Sequence, residues 1–121
     1  RPQAVGIRHE DGLWQPHVDV YEVADAFLVL VELAGMRDSE IEITLADDAL
    51  LIAGRRPELH RDGTIHFHQL EINEGPFRTA VVVPGPVVDE DVTAHYDDGL
   101  LTITLPKRRV QPRRIEVTGE Q

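Results

Sequence analysis

The chain has 121 residues and a net charge of −10, with 22 acidic against 12 basic residues. A chain of this length forms one domain and buries about two thirds of its unfolded surface, which is enough for one core without cross-links. Because it contains no cysteine, disulfides and thiolate metal sites are excluded.

The charge is unevenly distributed. Five basic and two acidic residues from position 107 onward give the tail +3, which leaves −13 for residues 1–106. So acidic a body repels phosphate backbones, and no stretch approaches the roughly 18 apolar residues of a membrane span or shows a signal-peptide pattern. We therefore expect no nucleic-acid partner, no membrane partner and a cytoplasmic location. The chain begins at Arg1 rather than Met, which leaves room for a removed upstream segment.

Residues 1–16 are predicted to form a flexible N-terminal arm. They mix glycine, proline and charged residues without the period of a helix or of a strand. The apolar side chains Ile7 and Trp14 are its main anchors.

Two strands are predicted next, over residues 18–23 and 27–33. The second is almost continuously apolar, which predicts a central position in the packing. Ile41, Ile43 and Leu45 then alternate with polar residues, and Asp47-Asp48 leads into another apolar run, so this stretch predicts a hairpin.

Residues 56–74 form a connection much longer than the 2–5 residues usual in hairpins. It contains Pro57, Gly63 and three histidines. Because long connections without structure are uncommon, residues 64–69 are predicted to form a strand within it.

A further strand is predicted over residues 77–83, and a Pro-Gly-Pro break follows it. Residues 92–96 lead into Asp98-Gly99, the strongest short-range signal for a hairpin in the chain. Beyond this turn, aliphatic residues alternate with Thr102 and Thr104 until Pro106 ends the strand. Short strands, turn residues between them and no helical period predict an all-β fold, an immunoglobulin-like antiparallel β-sandwich.

The hairpin also carries a resemblance. An alanine before the turn and the run of glycine, an aliphatic residue and leucine at and after it resemble the signature of the small heat shock protein (Hsp20, α-crystallin domain) family, prokaryotic type. Other matches fall in family order, with Ala34 in place of the usual proline and Thr79 in place of the usual arginine. The matching positions are Ala94, Gly99, Leu100 and Leu101, the opening strand 14–22, Leu33-Ala34-Gly35, and Glu71, Gly75 and Phe77.

The resemblance implies an α-crystallin domain over residues 17–107, with the long loop 56–74 carrying a strand that is exchanged between subunits. In such a homodimer the strand of one subunit pairs with the first strand of its partner. The implied exchange residues are Ile65, His66, Phe67 and His68, opposite Val18 and Val20.

The tail, residues 108–121, contains Ile115-Glu116-Val117, which resembles the family's C-terminal Ile-x-Ile/Val motif. The resemblance implies that Ile115 and Val117 dock on an edge groove of a neighbouring subunit and build a larger homo-oligomer. This groove, with the arm residues Ile7, Leu13 and Trp14, would also bind client proteins. The implied groove residues are Ile41, Ile43, Leu45, Val92 and Ala94.

Enzyme chemistry finds little support. Ser39 is the only serine and has no nucleophile-elbow motif around it, and Lys107 is the only lysine and follows no phosphate-binding loop. The acidic pairs Asp47-Asp48 and Asp97-Asp98 are typical of turns. We expect no catalytic residue, no metal and no cofactor.

The histidines leave two alternatives open. His60, His66 and His68 could bind a transition metal and support a small metal-dependent hydrolase, but solvent-facing residues of an exchanged strand are the simpler interpretation. Histidine changes charge near physiological pH, so His66 and His68 could also weaken the dimer in acid. An unchanged dimer dissociation constant between neutral and mildly acidic buffer would disprove this hypothesis.

The predicted function is that of an ATP-independent holdase, a chaperone that binds partly unfolded proteins and prevents their aggregation. The alternative is a β-sandwich co-chaperone or ligand-binding module without holdase activity, for which a stable monomer is expected.

Overall fold

The computed structural model describes residues 7–8 (backbone only), 12–60, 62–109 and 112–120. The described residues form nine strands and two short 3-10 helices, Asp38–Glu40 and Asp89–Asp91, so the prediction of an all-β fold is confirmed. The strands are β1 (Ile7–Arg8), β2 (Trp14–Gln15), β3 (Val18–Glu22), β4 (Ala26–Glu32), β5 (Ile41–Ala46), β6 (Ala49–Arg56), β7 (Gly75–Val82), β8 (Thr93–Asp97) and β9 (Leu100–Pro106).

The strands form two sheets. One has the order β1-β2-β7-β6-β5 and the other β3-β4-β9-β8. Neighbouring strands run antiparallel, except that β2 lies parallel to β7. As the apolar run predicted, β4 lies inside its sheet, between β3 and β9.

The core lies between the two sheets. Val29 of β4, Ile52 of β6 and Ile103 of β9 belong to one buried cluster and have at most 1% of their surface exposed. Their alternation along each strand explains the arrangement, because every second side chain of a strand points to the same face. Complete burial of such a side chain contributes about 1.5–3 kcal/mol.

Two hairpins have turns that need left-handed backbone. Asp98 has a φ of 51° and Gly99 a φ of 78°, the pair of positive values that a type I′ turn requires. Asp47, between β5 and β6, has a φ of 56°. Aspartate tolerates this conformation because its short side chain can bond to the local backbone.

Gly54 of β6 is a point of close approach. A Cβ atom there would lie 2.1 Å from the carbonyl oxygen of Glu40 and 2.8 Å from the ring of Phe77. Real side chains do not allow such distances, so only glycine lets the 3-10 helix Asp38–Glu40 lie against β6. The position of this helix, which enters β5, therefore depends on the absence of a side chain at Gly54.

The prediction of an arm without regular elements is wrong for the described part of residues 1–16. β1 and β2 lie there, and Trp14 stands opposite Phe77 in the register with β7. Two-residue strands are too short to show a period in the sequence, which is why the pattern missed them. The side chain of Ile7 lies outside the described part of the chain.

The described residues of the long connection after β6 form no ladder with another described strand. Residues 57–60 and 62–74 form no strand, and residues 62–72 are exposed throughout. The strand expected over residues 64–69, and its pairing with a second copy, stay predictions.

Candidate functional site

A groove lined by both apolar and polar side chains runs along one side of the sandwich, where β5 and β8 are the last strands of their sheets. It has a volume of about 330 Å³. Of the five residues expected here, Ile41, Ile43 and Ala94 line the groove, whereas Leu45 and Val92 are half-buried against the core and do not. The remaining lining residues are Asp38, His95, Tyr96 and Leu101.

One end of the groove is polar. The Tyr96 hydroxyl donates to the carbonyl oxygen of Leu33, which fixes the ring in place. Glu40 accepts a hydrogen bond from the backbone N–H of Arg37 at 2.8 Å. The exposed Asp38 carboxylate, by contrast, has no hydrogen bond or ion pair to any residue that the structure describes. It is therefore an available negative charge beside the aliphatic residues of the groove.

The aliphatic side chains of the Ile115-Glu116-Val117 motif are not buried against the described residues of their own chain. Ile115 is 71% exposed and Val117 is 91% exposed. The tail nevertheless leaves the sandwich at a fixed point, because the Lys107 Nζ atom lies 2.6 Å from Glu22 and its backbone N–H donates to Asp25 at 2.9 Å. Ile115 and Val117 are thus exposed to solvent on a tail whose start, at Lys107, is held against the sandwich.

The long loop exposes apolar side chains as well. Phe67 is 51% exposed, Ile65 is 42% exposed, and the neighbouring His66 and His68 are exposed too. In β3, which is an edge strand, Val20 is exposed and Val18 is half-buried. The structure does not bring the loop and β3 together within one chain.

The metal-dependent alternative gains no support. Among the described residues no three His, Asp or Glu side chains come together as a metal-binding group. His60 instead packs edge-on against the ring of Phe67, with 5.1 Å between ring centroids.

Trp14, expected in a client-binding arm, is buried with 3% of its surface exposed. Its indole N–H donates to the carbonyl oxygen of Gly75 at 3.1 Å, and its ring lies 5.2 Å from that of Phe77. Leu13 beside it is half-buried. Contact between a client and Trp14 would therefore require this segment to detach from β7.

Arg56 is a residue that sequence reasoning missed. It is 9% exposed, and its guanidinium donates to Ala34 at 3.1 Å and to Asn73 at 2.7 Å while lying 4.4 Å from the centre of the Trp14 ring. It therefore joins three segments: the turn after β4, the end of the long loop and the N-terminal segment. Arg56 continues the inward alternation of Leu50, Ile52 and Gly54 along β6. This alternation was the feature of the sequence that could have indicated its burial.

Burial has an electrostatic cost at Arg56. Desolvation lowers the pKa of its guanidinium, and the charges of Glu32 and Tyr96 act in the opposite direction. The two carbonyl acceptors and the indole ring replace part of the lost hydration. Thr79, which stands where the family usually has an arginine, is buried in β7.

The sequence profile of the Hsp20/alpha crystallin family matches residues 19–118. The chain belongs to this family. The match covers the sandwich from β3 to β9 and extends into the tail, so it includes both the groove and the Ile115-Glu116-Val117 motif. The described residues contain no helix that is long and apolar enough to cross a membrane.

Relatives agree with this assignment. The chain is 36% identical over 105 residues to spore protein SP21 of Stigmatella aurantiaca, a match that covers 86% of this chain and 62% of that protein. It is 30% identical over 105 residues to small heat shock protein C2 of Rickettsia felis, covering 86% of this chain and 68% of the relative. The chain thus corresponds to about two thirds of the length of these proteins.

Solved structures agree as well. A small heat-shock protein from Xylella fastidiosa superposes with a TM-score of 0.72 at 31% identity, covering 86% of this chain and 96% of that one. Heat shock protein 16.0 from Schizosaccharomyces pombe gives the same TM-score at 24% identity, with 88% and 98% covered, and supports the fold alone. The predicted family and its α-crystallin β-sandwich are confirmed.

Proposed function

We propose that this protein is an ATP-independent holdase that binds partly unfolded proteins and keeps them from aggregating. Membership of a small heat shock protein family supports a chaperone role. The observation that carries the proposal is the exposure of large apolar side chains outside the sandwich, in a chain whose core is otherwise closed. These side chains include Leu59, Ile65, Phe67, Leu70, Ile72, Ile115 and Val117.

Exposed apolar side chains of this kind mark interaction surfaces, because monomeric proteins rarely leave them grouped in water. In the proposed mechanism they are covered by contacts between subunits at low temperature. Heating opens the weaker contacts, and the freed surface binds apolar segments that a client exposes as it unfolds. No bond is made or broken, so no catalytic residue, metal or cofactor takes part.

The proposed unit of assembly is a homodimer formed by strand exchange. The loop residues Ile65 to His68 would pair with β3 of a second copy, next to Val18 and Val20. The support is that each has free backbone groups in the single chain: β3 pairs with β4 on one side only, and the described residues of the loop form no strand. An edge strand offers a row of free backbone donors and acceptors for such pairing.

Engineered cysteines test the exchange without background, because the chain has no cysteine of its own. The double variant V20C/F67C is expected to form a disulfide-linked dimer on mild oxidation. The matched control V82C/F67C replaces Val20 by another exposed strand residue and is expected to remain uncrosslinked. Equal crosslinking of both variants would argue against exchange.

Larger assemblies are proposed to form through the tails, with Ile115 and Val117 in the groove of a neighbouring subunit. Burial of two aliphatic side chains contributes about 3–6 kcal/mol, whereas association costs about 4–15 kcal/mol. One tail therefore binds weakly, and several tails in one assembly reinforce one another. I115A/V117A is expected to leave the dimer intact and shrink larger species in light scattering; an unchanged size would contradict tail docking.

Client binding is proposed for the groove and for the N-terminal arm. At the arm, Leu13 and Trp14 become available only when β2 leaves β7. The proposed domain limits are an arm over residues 1–16, a sandwich over residues 17–107 and a tail over residues 108–121.

The decisive measurement is light scattering from a heat-denaturing test protein, with chelator present and nucleotide absent. We expect suppression at near-stoichiometric ratios, and no suppression by an equal mass of an unrelated globular protein. A chain that stays monomeric and leaves the scattering unchanged would instead be a recognition module without holdase activity.

A further inference from the structure

The tail and the groove carry complementary charges at matching positions. In an extended segment every second side chain lies on the same side. Ile115 and Val117 therefore share one side with Arg113, whereas Arg114 and Glu116 lie on the other. Any extended tail that inserts its two aliphatic side chains into a cleft must direct Arg113 toward the same surface.

The groove provides an acceptor for this arginine. Its lining is apolar at Ile41, Ile43 and Ala94, and Asp38 adds a carboxylate at the end where β5 begins. This carboxylate has no partner in the described part of the chain, as noted above. A carboxylate beside the aliphatic part of the groove suits a segment in which a cation precedes two aliphatic residues.

We infer that in the docked state Arg113 of one subunit pairs with Asp38 of the next, while Ile115 and Val117 fill the cleft beside Ile43 and Ala94. This inference rests on the tail docking proposed above and adds the direction in which the tail runs through the groove. Successive same-side residues are about 6.6 Å apart, so with Arg113 at Asp38 the tail runs in the same direction as β5.

The occupant is the tail of a second copy of this chain. The tail from position 107 carries +3 and the remainder −13, so each tail is attracted to the body of another subunit. Arg114 contributes to this general attraction but, on the other side of the tail, does not meet the groove. Arg113 and Arg114 therefore form a matched pair of variants with the same charge and different roles.

The experiment uses a fluorescent peptide of residues 108–121 and the full chain carrying I115A/V117A. Those two substitutions remove exposed side chains, so the protein stays folded while its own tails leave the groove free. Anisotropy gives the dissociation constant of the peptide. A peptide carrying I115A/V117A is the negative control.

The R113E peptide is expected to bind at least about 5-fold more weakly, whereas R114E changes the constant by less than about 2-fold. Introducing D38K into the full chain should weaken the wild-type peptide similarly and restore binding of the R113E peptide. E42K, on the outer side of β5, is the matched control and should do neither. Added salt should weaken the wild-type peptide more than R113Q.

The outcomes separate the two proposals. If the wild-type peptide does not bind, tail docking and the pairing are both wrong. If it binds but R113E and R114E weaken it equally, or the D38K exchange does not restore binding, docking stands and the pairing is wrong.

Discussion

Two aromatic residues, Trp14 of the short strand β2 and Phe67 of the long loop, differ sharply in burial. Trp14 is 3% exposed, and Phe77 and the Arg56 guanidinium pack against its ring. Phe67 is 51% exposed, and His60 of its own loop is its ring partner. The two segments differ in their partners. Trp14 packs against β7 and the Arg56 guanidinium, whereas the described loop residues pair with no described strand.

The difference shows that burial depends on an available partner and not on apolarity alone. The N-terminal segment belongs to the cooperative fold of one subunit. The loop, with Phe67 at its centre, is exposed in the single chain and is proposed to pair with a second one. Substitutions in the two segments should therefore change different measured quantities, stability in the first and association in the second.

The largest effect is expected for Trp14→Ala. Removal of a buried aromatic side chain typically costs about 3–5 kcal/mol, and here it also takes the donor away from the Gly75 carbonyl. Circular dichroism during urea unfolding measures the loss, because Trp14 is the only tryptophan and its fluorescence disappears with it. A loss below about 1 kcal/mol would place this segment outside the cooperative unit.

Arg56→Met should lower the free energy of unfolding by about 2–4 kcal/mol. The variant fills the space but leaves the carbonyl oxygens of Ala34 and Asn73 without their donor. Arg56→Lys is the matched control, since a compact ammonium keeps the charge but lacks the planar fork that serves both acceptors. If lysine restored full stability, charge rather than geometry would be the essential property.

Phe67→Ala is expected to weaken the dimer by about 1.5–3 kcal/mol, or roughly 10- to 150-fold in its dissociation constant, because the ring would be buried only against a partner. The subunit itself should lose less than about 0.5 kcal/mol, since the ring is exposed. Sedimentation over a range of concentrations measures the first quantity. A stability loss as large as that of Trp14→Ala would abolish the distinction between the segments.

The smallest effect is expected for Lys107→Met, which removes the ion pair with Glu22 at the root of the tail. The partners have side chains 26% and 58% exposed, so solvent screens the pair and the loss should stay below about 1 kcal/mol. Thermal unfolding at low and high salt measures it. A larger loss of stability that does not change with salt would show that the start of the tail is held by packing of Lys107 against Phe27 instead.

Much of the fold was predictable because the sandwich is built from local patterns. The alternation of Leu101, Ile103 and Leu105 and the Asp98-Gly99 turn gave the β8–β9 hairpin directly, and the alternation from Ile41 gave β5. Three of the five expected groove residues line the groove, because the inward period fixes which side chains face it. Leu45 and Val92 lie outside it, which could not be predicted because the sequence does not show where the groove ends.

The parts that could not be predicted depend on contacts distant in sequence. Arg56 is buried because Ala34, Asn73 and Trp14 converge on it, and although the inward alternation of β6 reaches position 56, the sequence does not show these distant partners. β2 was missed because two residues are too few to show a period, and its identity as a strand depends on its pairing with β1 and β7. The loop strand remains a prediction because its partner is expected on another chain.

Gly54 stands opposite Ile41, a residue of the groove lining, in the ladder between β5 and β6, and it allows the Asp38–Glu40 helix to rest on β6. Any side chain at this position would push that helix outward and carry the Asp38 carboxylate away from the groove. Under the proposed tail docking, a change at Gly54 would therefore alter assembly even though Gly54 does not itself line the groove.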